Sequence, residues 1–407
     1  MKPGKIDLSD PETFANGFPH DYFNMLRTQE PVSWNESHFV GPDHLIEQRG
    51  FYSVTRHADV VEVSRNPDVY SSARGGVQIL DRDEEALQHV RAMLLSMDPP
   101  EHIDYRRLVN RGFTPRQVQA LRPRIRSAAA AIIDGIVDRG EAEFVSEIAM
   151  HLPMLLICEL MGVPAEDQGK IFDWSNQLVG FDDPGYNDPE ASPMEVAMRV
   201  WMYAHELADQ KRREPDETLI SQFANGEVDG QVTTEMQLNN FFVLLAIAGN
   251  ETTRNATSHA VRLLNGNPDQ KALLLSDIDR YLPGAIDEVL RCCPPIISFR
   301  RTLTQPATLG GVNLVEGDKV VMWYPSANRD ESVWSDVHRF DITRDSTRHL
   351  TFGIGEHFCL GAGLAKMQLH CILEQILNRL PNIAVVDDPV LLRSNIVAGI
   401  KTMNVSW

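Results

Sequence analysis

Phe352-Gly353-Ile354-Gly355-Glu356-His357-Phe358-Cys359-Leu360-Gly361 leads straight into a segment with helical apolar periodicity over 361–380. Glycine enters the left-handed backbone region without a steric penalty, so Gly353 and Gly355 permit a tight loop that can lie close to a flat ligand. The periodicity that follows predicts a helix, with Cys359 at its N-terminal edge. Aligned peptide dipoles and unpaired amides at such an edge favour a thiolate over a thiol. A thiolate is the ligand a haem iron needs if electron density is to be pushed into O–O cleavage, whereas a cysteine without that setting is an ordinary small buried hydrophobe. Other motifs fall away. Phe358 stands where a dinucleotide fingerprint needs its third glycine, and the chain has no GxxxxGK[ST], GxSxG or HExxH; His205-Glu206 comes nearest the last, with Asp209 in place of the second histidine.

Outward from this loop, helical periodicity dominates. Segments 115–138, 143–161, 195–212, 234–264, 281–291 and 361–380 read as helices. Short strands are expected at Phe51 to Val54, Ala307 to Leu314, Lys319 to Trp323 and in the last dozen residues. The class is mainly α with a small β part drawn from approximately 31–60, 296–325 and 385–407, all within one domain spanning 1–407. Interruptions rich in proline and glycine at 71–100, 179–193 and 292–296 read as loops inside that domain. Segment 234–264 is apolar through Phe241 to Ala248 and then turns polar at Asn250-Glu251-Thr252-Thr253. The run of about 13 residues between Asn240 and Thr253 is too short and too polar to span a bilayer, so the segment reads as a helix buried in the centre of a large protein. Polar residues in the middle of a buried helix are costly unless they serve a purpose.

The net charge of -19, from 38 basic and 57 acidic residues, would repel phosphate backbones and argues against nucleic acid as a partner. Arg106, Arg107, Arg111, Arg116, Arg122, Arg124 and Arg126 are the local exception, in a stretch with no carboxylate. That run reads either as a solvated helix face or as a docking surface for an anionic partner. The start MKPGKIDLSDPETF carries no apolar run, and the five cysteines are an odd number with no zinc-site spacing. A cytoplasmic protein with no membrane anchor and no disulfide framework is expected.

Phe352, Gly355, Cys359 and Gly361 match the F-x2-G-x3-C-x-G spacing of the cysteine loop of the cytochromes P450, and the chain resembles their soluble bacterial members. Three further stretches carry the resemblance. Glu288-Val289-Leu290-Arg291 is similar to the family's ExxR signature, with Phe340-Asp341 to Arg344 placed to complete its network. Ala248-Gly249-Asn250-Glu251-Thr252-Thr253 is similar to the family's oxygen-binding sequence. His102 and Arg106 match its HxxxR, and Ala327-Asn328-Arg329-Asp330 a recurrent bacterial sequence. Pro325 and the adjacent Cys292 and Cys293 depart from the pattern without removing a catalytic group. In wording, the motifs look most like the group that hydroxylates terpenoids, sterol side chains and branched lipids.

The resemblance implies a P450 fold with haem b held between the long central helix and the cysteine-loop helix. Cys359 becomes the iron ligand, and Phe352, Gly353, Gly361, Ala248 and Gly249 cradle the cofactor. His102, Arg106, Arg301 and His349 form a cationic clamp for its propionates, while Glu288 and Arg291 are structural. Gly249 allows a close approach or a local bulge, Thr252 serves oxygen activation as a hydrogen-bonding hydroxyl, and Glu251 links it to bulk protons. Loops 71–98 and 179–193 and the apolar Leu245, Ala248, Ile296, Ile297 and Val397 are expected to select a hydrophobic substrate. The implied reaction is hydroxylation of a C–H bond with O2 and two electrons. The chain has no flavin, nicotinamide or iron–sulfur motif, so a ferredoxin and its NAD(P)H-dependent reductase are implied, landing on the arginine stretch and Lys366. A peroxide-driven peroxygenase and a haem-binding sensor or transport protein are the rival readings. Neither has an evident use for both Glu251 and Thr252.

Overall fold

The computed structural model describes residues 6–38, 48–180, 183, 185–186, 192–228 and 231–407. The predicted loop 179–193 therefore lies largely outside the described residues. At the centre is a helix of 32 residues, Glu235–Gly266. It starts where it does because Thr234 and Gln237 form a reciprocal capping box, which satisfies amides that the first turn leaves unpaired. Helices His151–Met161, Gln168–Val179, Pro193–Arg213, Ile278–Cys292 and Ala362–Arg379 all pack against it. Its first half contributes Phe241, Phe242 and Leu245 to one apolar cluster, and its second half contributes Ala256, Ala260 and Leu264 to another. This is the centrally buried helix that the 234–264 pattern predicts.

The β part forms beside this bundle. A mixed five-stranded sheet runs in the order Val32–Asn35, Phe51–Val54, Lys319–Trp323, Ser298–Leu303, Tyr70–Ser71. Only the contact between Phe51–Val54 and Lys319–Trp323 is parallel. Trp323 anchors its core at 0% exposure, donating from Nε1 to Ser53 Oγ at 2.9 Å and stacking on Phe14. Burial of a side chain this large contributes roughly 3 kcal/mol. A three-stranded sheet joins Ala384–Val385 and Asn404–Ser406 to Glu141–Glu143, which lies outside the ranges expected for the β part. Ala307–Leu314 is a hairpin and not one strand: Ala307–Leu309 and Val312–Leu314 turn through Gly310 and Gly311. Pro325 occupies the first turn of the short helix Tyr324–Ala327, where the missing N–H leaves no ladder bond broken.

The sequence reading of 71–100 as a loop is corrected in part. Asp83 caps a short helix over Glu84–Arg91, whose apolar side, Ala86, Leu87 and Val90, is only half-buried. The predicted helix 143–161 is also divided: a wider π turn over Val145–Ala149 precedes His151–Met161. Among the described residues no helix is long and apolar enough to cross a membrane.

Candidate active site

The cysteine loop is closed by its own backbone. The Cys359 N–H donates to Phe352 O at 2.8 Å and the Phe358 N–H to Gly355 O at 3.1 Å. Gly355 has φ +77°, and a Cβ there would lie 2.5 Å from the carbonyl oxygen of Ser64, so both conformation and space demand glycine. Arg106 Nη2 donates to Phe358 O, which ties the helix Glu101–Val109 to the residue before the cysteine. The helix Ala362–Arg379 begins just beyond, with Gly361 as its N-cap.

Burial pushes the free Cys359 thiol above its ordinary value, while the Gly361 amide and Arg106 pull the other way. The expectation that the helix edge alone favours a thiolate is thus corrected. Desolvation outweighs it, and deprotonation at this position calls for a bound metal.

On the facing side, the long helix places polar groups among apolar ones. Thr252 Oγ1 donates to Ala248 O at 2.9 Å, the back-bond expected of a mid-helix threonine. Glu251 is 1% exposed, and its Oε2 accepts from Arg254 Nη2 at 2.6 Å. Burial raises the Glu251 carboxyl and Arg254 opposes it. Arg254 in turn donates from Nη1 to Asn176 Oδ1 at 2.8 Å, and Asn250 Nδ2 donates to Ser175 Oγ at 3.1 Å. Two polar residues of the helix Gln168–Val179 therefore hold the motif from outside. Sequence reasoning missed Arg254, Ser175 and Asn176. Arg254 stands one turn from Glu251 and was open to the same i, i+3 reading as Glu288 and Arg291.

Ala248 is exposed in the middle of this otherwise buried helix, so its face opens on a space that the chain does not fill. Gly249 points elsewhere. A Cβ on it would meet Ile157 Cγ1 at 2.5 Å, so its role is close approach to the helix His151–Met161, and the helix runs through it without a bulge.

The expected propionate ligands fall into two kinds. Arg301 is 4% exposed and has no carboxylate within 4 Å among the described residues; its Nη1 donates only to Arg300 O, at 2.8 Å. A buried guanidinium without an anion is unbalanced, and a carboxylate ligand would balance it. His102 is 1% exposed, with Nδ1 unpartnered and its ring 4.1 Å from that of His357. Burial first and Arg106 second hold its imidazole down to about 4, so without an anion beside it the ring is a neutral hydrogen-bonding group. His349 receives the Thr351 N–H on Nδ1 at 3.2 Å and points Nε2 at Asp287, 3.5 Å away. An unpaired buried arginine, an unpartnered imidazole nitrogen, an open face at Ala248 and a free sulfur together fit a flat dianionic haem.

The Glu288–Arg291 pair sits behind the loop at 0% exposure, bidentate at 2.7 Å for both contacts. Glu288 also accepts from Ser346 Oγ, the Asp341 N–H and Arg344, which is the network that the sequence expected from 340–344. Arg291 donates onward to the carbonyls of Asn328 and Val337 at 3.0 Å each.

Of the five expected pocket residues, Leu245 lies in the core cluster of the central helix, beside the exposed Ala248. Ile296 and Val397 pair through an isolated antiparallel bridge. Ile297 does not join them: it is 1% exposed and packs with Phe14, Phe51 and Trp323 in the β part, because successive residues of an extended chain face opposite sides.

The cytochrome P450 family profile matches residues 44–387. A steroid C26-monooxygenase of Rhodococcus jostii is 37% identical over 411 residues, covering 100% of this chain and 85% of the relative. A methyl-branched lipid omega-hydroxylase of Mycobacterium bovis is 37% identical over 391 residues, covering 95% and 90%. The solved structure of a Mycobacterium marinum cytochrome P450 in complex with pseudoionone superposes with a TM-score of 0.90 at 37% identity, covering 95% and 94%. Profile, relatives and fold agree with what the cysteine loop and its surroundings indicate: the chain belongs to the cytochrome P450 family and its cofactor is haem b.

Proposed function

We propose that this monooxygenase hydroxylates a C–H bond of a steroid, terpenoid or methyl-branched lipid, using O2 and two electrons from a ferredoxin served by an NAD(P)H-dependent reductase. The observation that carries the reading is the Glu251-Thr252 pair, set in the central helix within one turn of the exposed Ala248. Haem, when bound, supplies the activation of dioxygen. The chain supplies the rest. Cys359 would hold the iron through its sulfur, Arg301 and Arg106 would meet the negative propionates, and His102 would add a hydrogen bond, while His349 is turned toward Asp287. Thr252 would supply a hydrogen-bonding hydroxyl for oxygen activation, and Glu251 would pass protons inward from a carboxyl whose affinity burial has raised.

Substrate selection is assigned to Leu245, Ala248, Ile296 and Val397. Their apolar character and the names of the relatives support a hydrophobic ligand. Arg107, Arg116, Arg122, Arg124 and Arg126 are exposed, and Arg124 and Arg126 are paired with Glu159 and Glu374. This partly neutralised surface is where an acidic ferredoxin would land. All five cysteines are free, in keeping with work in the reducing cytoplasm.

The test is a titration of the haem-loaded protein with sterols, acyclic terpenoids and methyl-branched fatty acids, read by the spin-state shift of the haem. Product analysis under NADH, ferredoxin and reductase follows. A shift with one class and a mono-hydroxylated product support the reading. Consumption of O2 with no oxygenated product from any class contradicts it.

A further inference from the structure

Segment 82–97 crosses from the five-stranded sheet to the central helix, and each of its ends is fixed by one carboxylate. At the far end Asp98 Oδ1 accepts the Ser72 N–H at 2.7 Å, and its Oδ2 accepts from Ser71 Oγ. In between, the chain is lightly held. No residue of the helix Glu84–Arg91 is fully buried. Asn240 Nδ2 of the central helix donates to His89 O at 3.0 Å, and the His89 ring stacks on that of Trp201 at 5.0 Å. Met93, Leu94 and Met97 then pack in the same apolar cluster as Leu245. A segment with few buried contacts takes its position from its anchors.

The near anchor, Asp81, is the denser of the two. Its Oδ1 accepts from Arg300 Nη1 at 2.9 Å, and its Oδ2 accepts from Lys319 Nζ at 2.8 Å and from the Arg49 N–H at 3.0 Å. Its own peptide exchanges hydrogen bonds with the Gln48 amide, N–H to Oε1 at 2.7 Å and Nε2 to O at 3.1 Å. Arg300 and Lys319 rise from adjacent strands of the sheet, with side chains at 2% and 1% exposure. The Arg300 N–H also donates to Val77 O at 2.7 Å, and a Cβ on Gly75 would lie 2.1 Å from Arg300 Nη2. Segment 75–81 is thus laid against the sheet by groups that converge on one carboxylate.

The charges do not cancel. Among the described residues Asp81 is the only carboxylate within 4 Å of either Arg300 or Lys319, so two buried cations share one anion. Burial alone would raise the Asp81 carboxyl, but Arg300 and Lys319 overcome it and bring it down to about 2. The surplus falls on Lys319, whose ammonium burial first and Arg300 second bring down to about 8 while Asp81 opposes them. Losing the carboxylate would strand two buried cations, which is costly, whereas losing Lys319 would leave a balanced pair.

We propose that Asp81 is a positioning residue of the substrate pocket: as the one anion between Arg300 and Lys319 it pins segment 75–81 to the sheet, and so sets the place from which segment 82–97 reaches the central helix. The proposal rests on the reading that loop 71–98 helps to select the substrate. Asp81 itself touches neither substrate nor cofactor in this role.

The test uses haem-loaded protein without substrate. In Asp81→Asn the amides of 75–91 should exchange with deuterium on the order of tenfold faster than in wild type, with those of the central helix unchanged. Imidazole and 1-dodecylimidazole both bind haem iron through a ring nitrogen, but only the second runs a chain along the apolar pocket. In Asp81→Asn the dodecyl compound should bind about tenfold more weakly and imidazole within about twofold, both read from the Soret shift. Lys319→Met should keep exchange and both affinities within about twofold of wild type. If Asp81→Asn does not fold, the double variant with Lys319→Met strands one cation in place of two, and the same two differences should appear at reduced size. Unchanged exchange at 75–91, azole affinities that fall together or not at all, or as large a loss in Lys319→Met as in Asp81→Asn would overturn the proposal. Neither readout depends on which lipid is hydroxylated, so its failure is distinct from failure of the proposed function.

Discussion

Glu251 and Arg254 form a buried ion pair within one turn of the central helix, joined by a 2.6 Å hydrogen bond with both side chains at 1% exposure. Burial raises the Glu251 carboxyl and Arg254 is the larger of two groups that counteract it, so removing the arginine leaves the raising effect opposed only by the Asn255 hydrogen bond. A carboxyl whose folded affinity exceeds its unfolded one loses stability as pH climbs past the unfolded value, since the unfolded chain ionises first. Arg254→Met should therefore lower Tm more at pH 8 than at pH 5. Near neutrality the cost should be about 3–5 kcal/mol, the penalty for stranding one member of a buried pair. Adding Glu251→Gln should restore most of it. Equal Tm losses at both pH values would show that the arginine acts by packing alone.

Thr252→Ala removes the hydroxyl that bonds Ala248 O and nothing that the helix needs to stand. Substrate affinity should stay within about twofold, while the share of consumed O2 that ends as free hydrogen peroxide rises on the order of fivefold. Peroxide yield equal to wild type would take Thr252 out of the mechanism.

Arg291→Lys keeps the charge but loses the planar fork that meets Glu288 twice and reaches three backbone carbonyls. Destabilisation of about 3–5 kcal/mol is expected, with purified protein short of haem. Full haem content and an unchanged Tm would contradict the structural role.

Gly249→Ala would set a methyl 2.5 Å from Ile157 Cγ1, an overpacking cost of about 1–3 kcal/mol in Tm measurements. Ile157→Ala should cost less in that background than in wild type, because the two changes share one space. Strictly additive losses would place the strain elsewhere.

These residues also mark how far the sequence could be read. Cys359, Glu288 with Arg291, and Thr252 were legible because each sits in a fixed spacing whose chemistry is local: a loop, one helical turn, a back-bond. The central helix was legible because the apolar run Phe241 to Ala248 ended in a costly polar cluster. What stayed hidden depends on partners distant in sequence. Asn176 and Ser175 reach Arg254 and Asn250 from another helix, across about 75 residues. Ile297 was placed in the pocket because it adjoins Ile296, and only the sheet register shows that it turns toward Trp323. The helix Glu84–Arg91 went unseen because at eight residues it is too short for its period to stand out among the loops around it. The burial that holds the His102 imidazole down to about 4 is likewise invisible in a linear motif.

The central claim is that the Cys359 sulfur is bonded to haem iron. The direct measurement is the carbon monoxide difference spectrum of the reduced, haem-loaded protein, wild type against Cys359→Ala. The account predicts the red-shifted band of thiolate-ligated iron in the wild type and its loss in the variant. The same band in Cys359→Ala, or its absence from fully haem-loaded wild type, would contradict it.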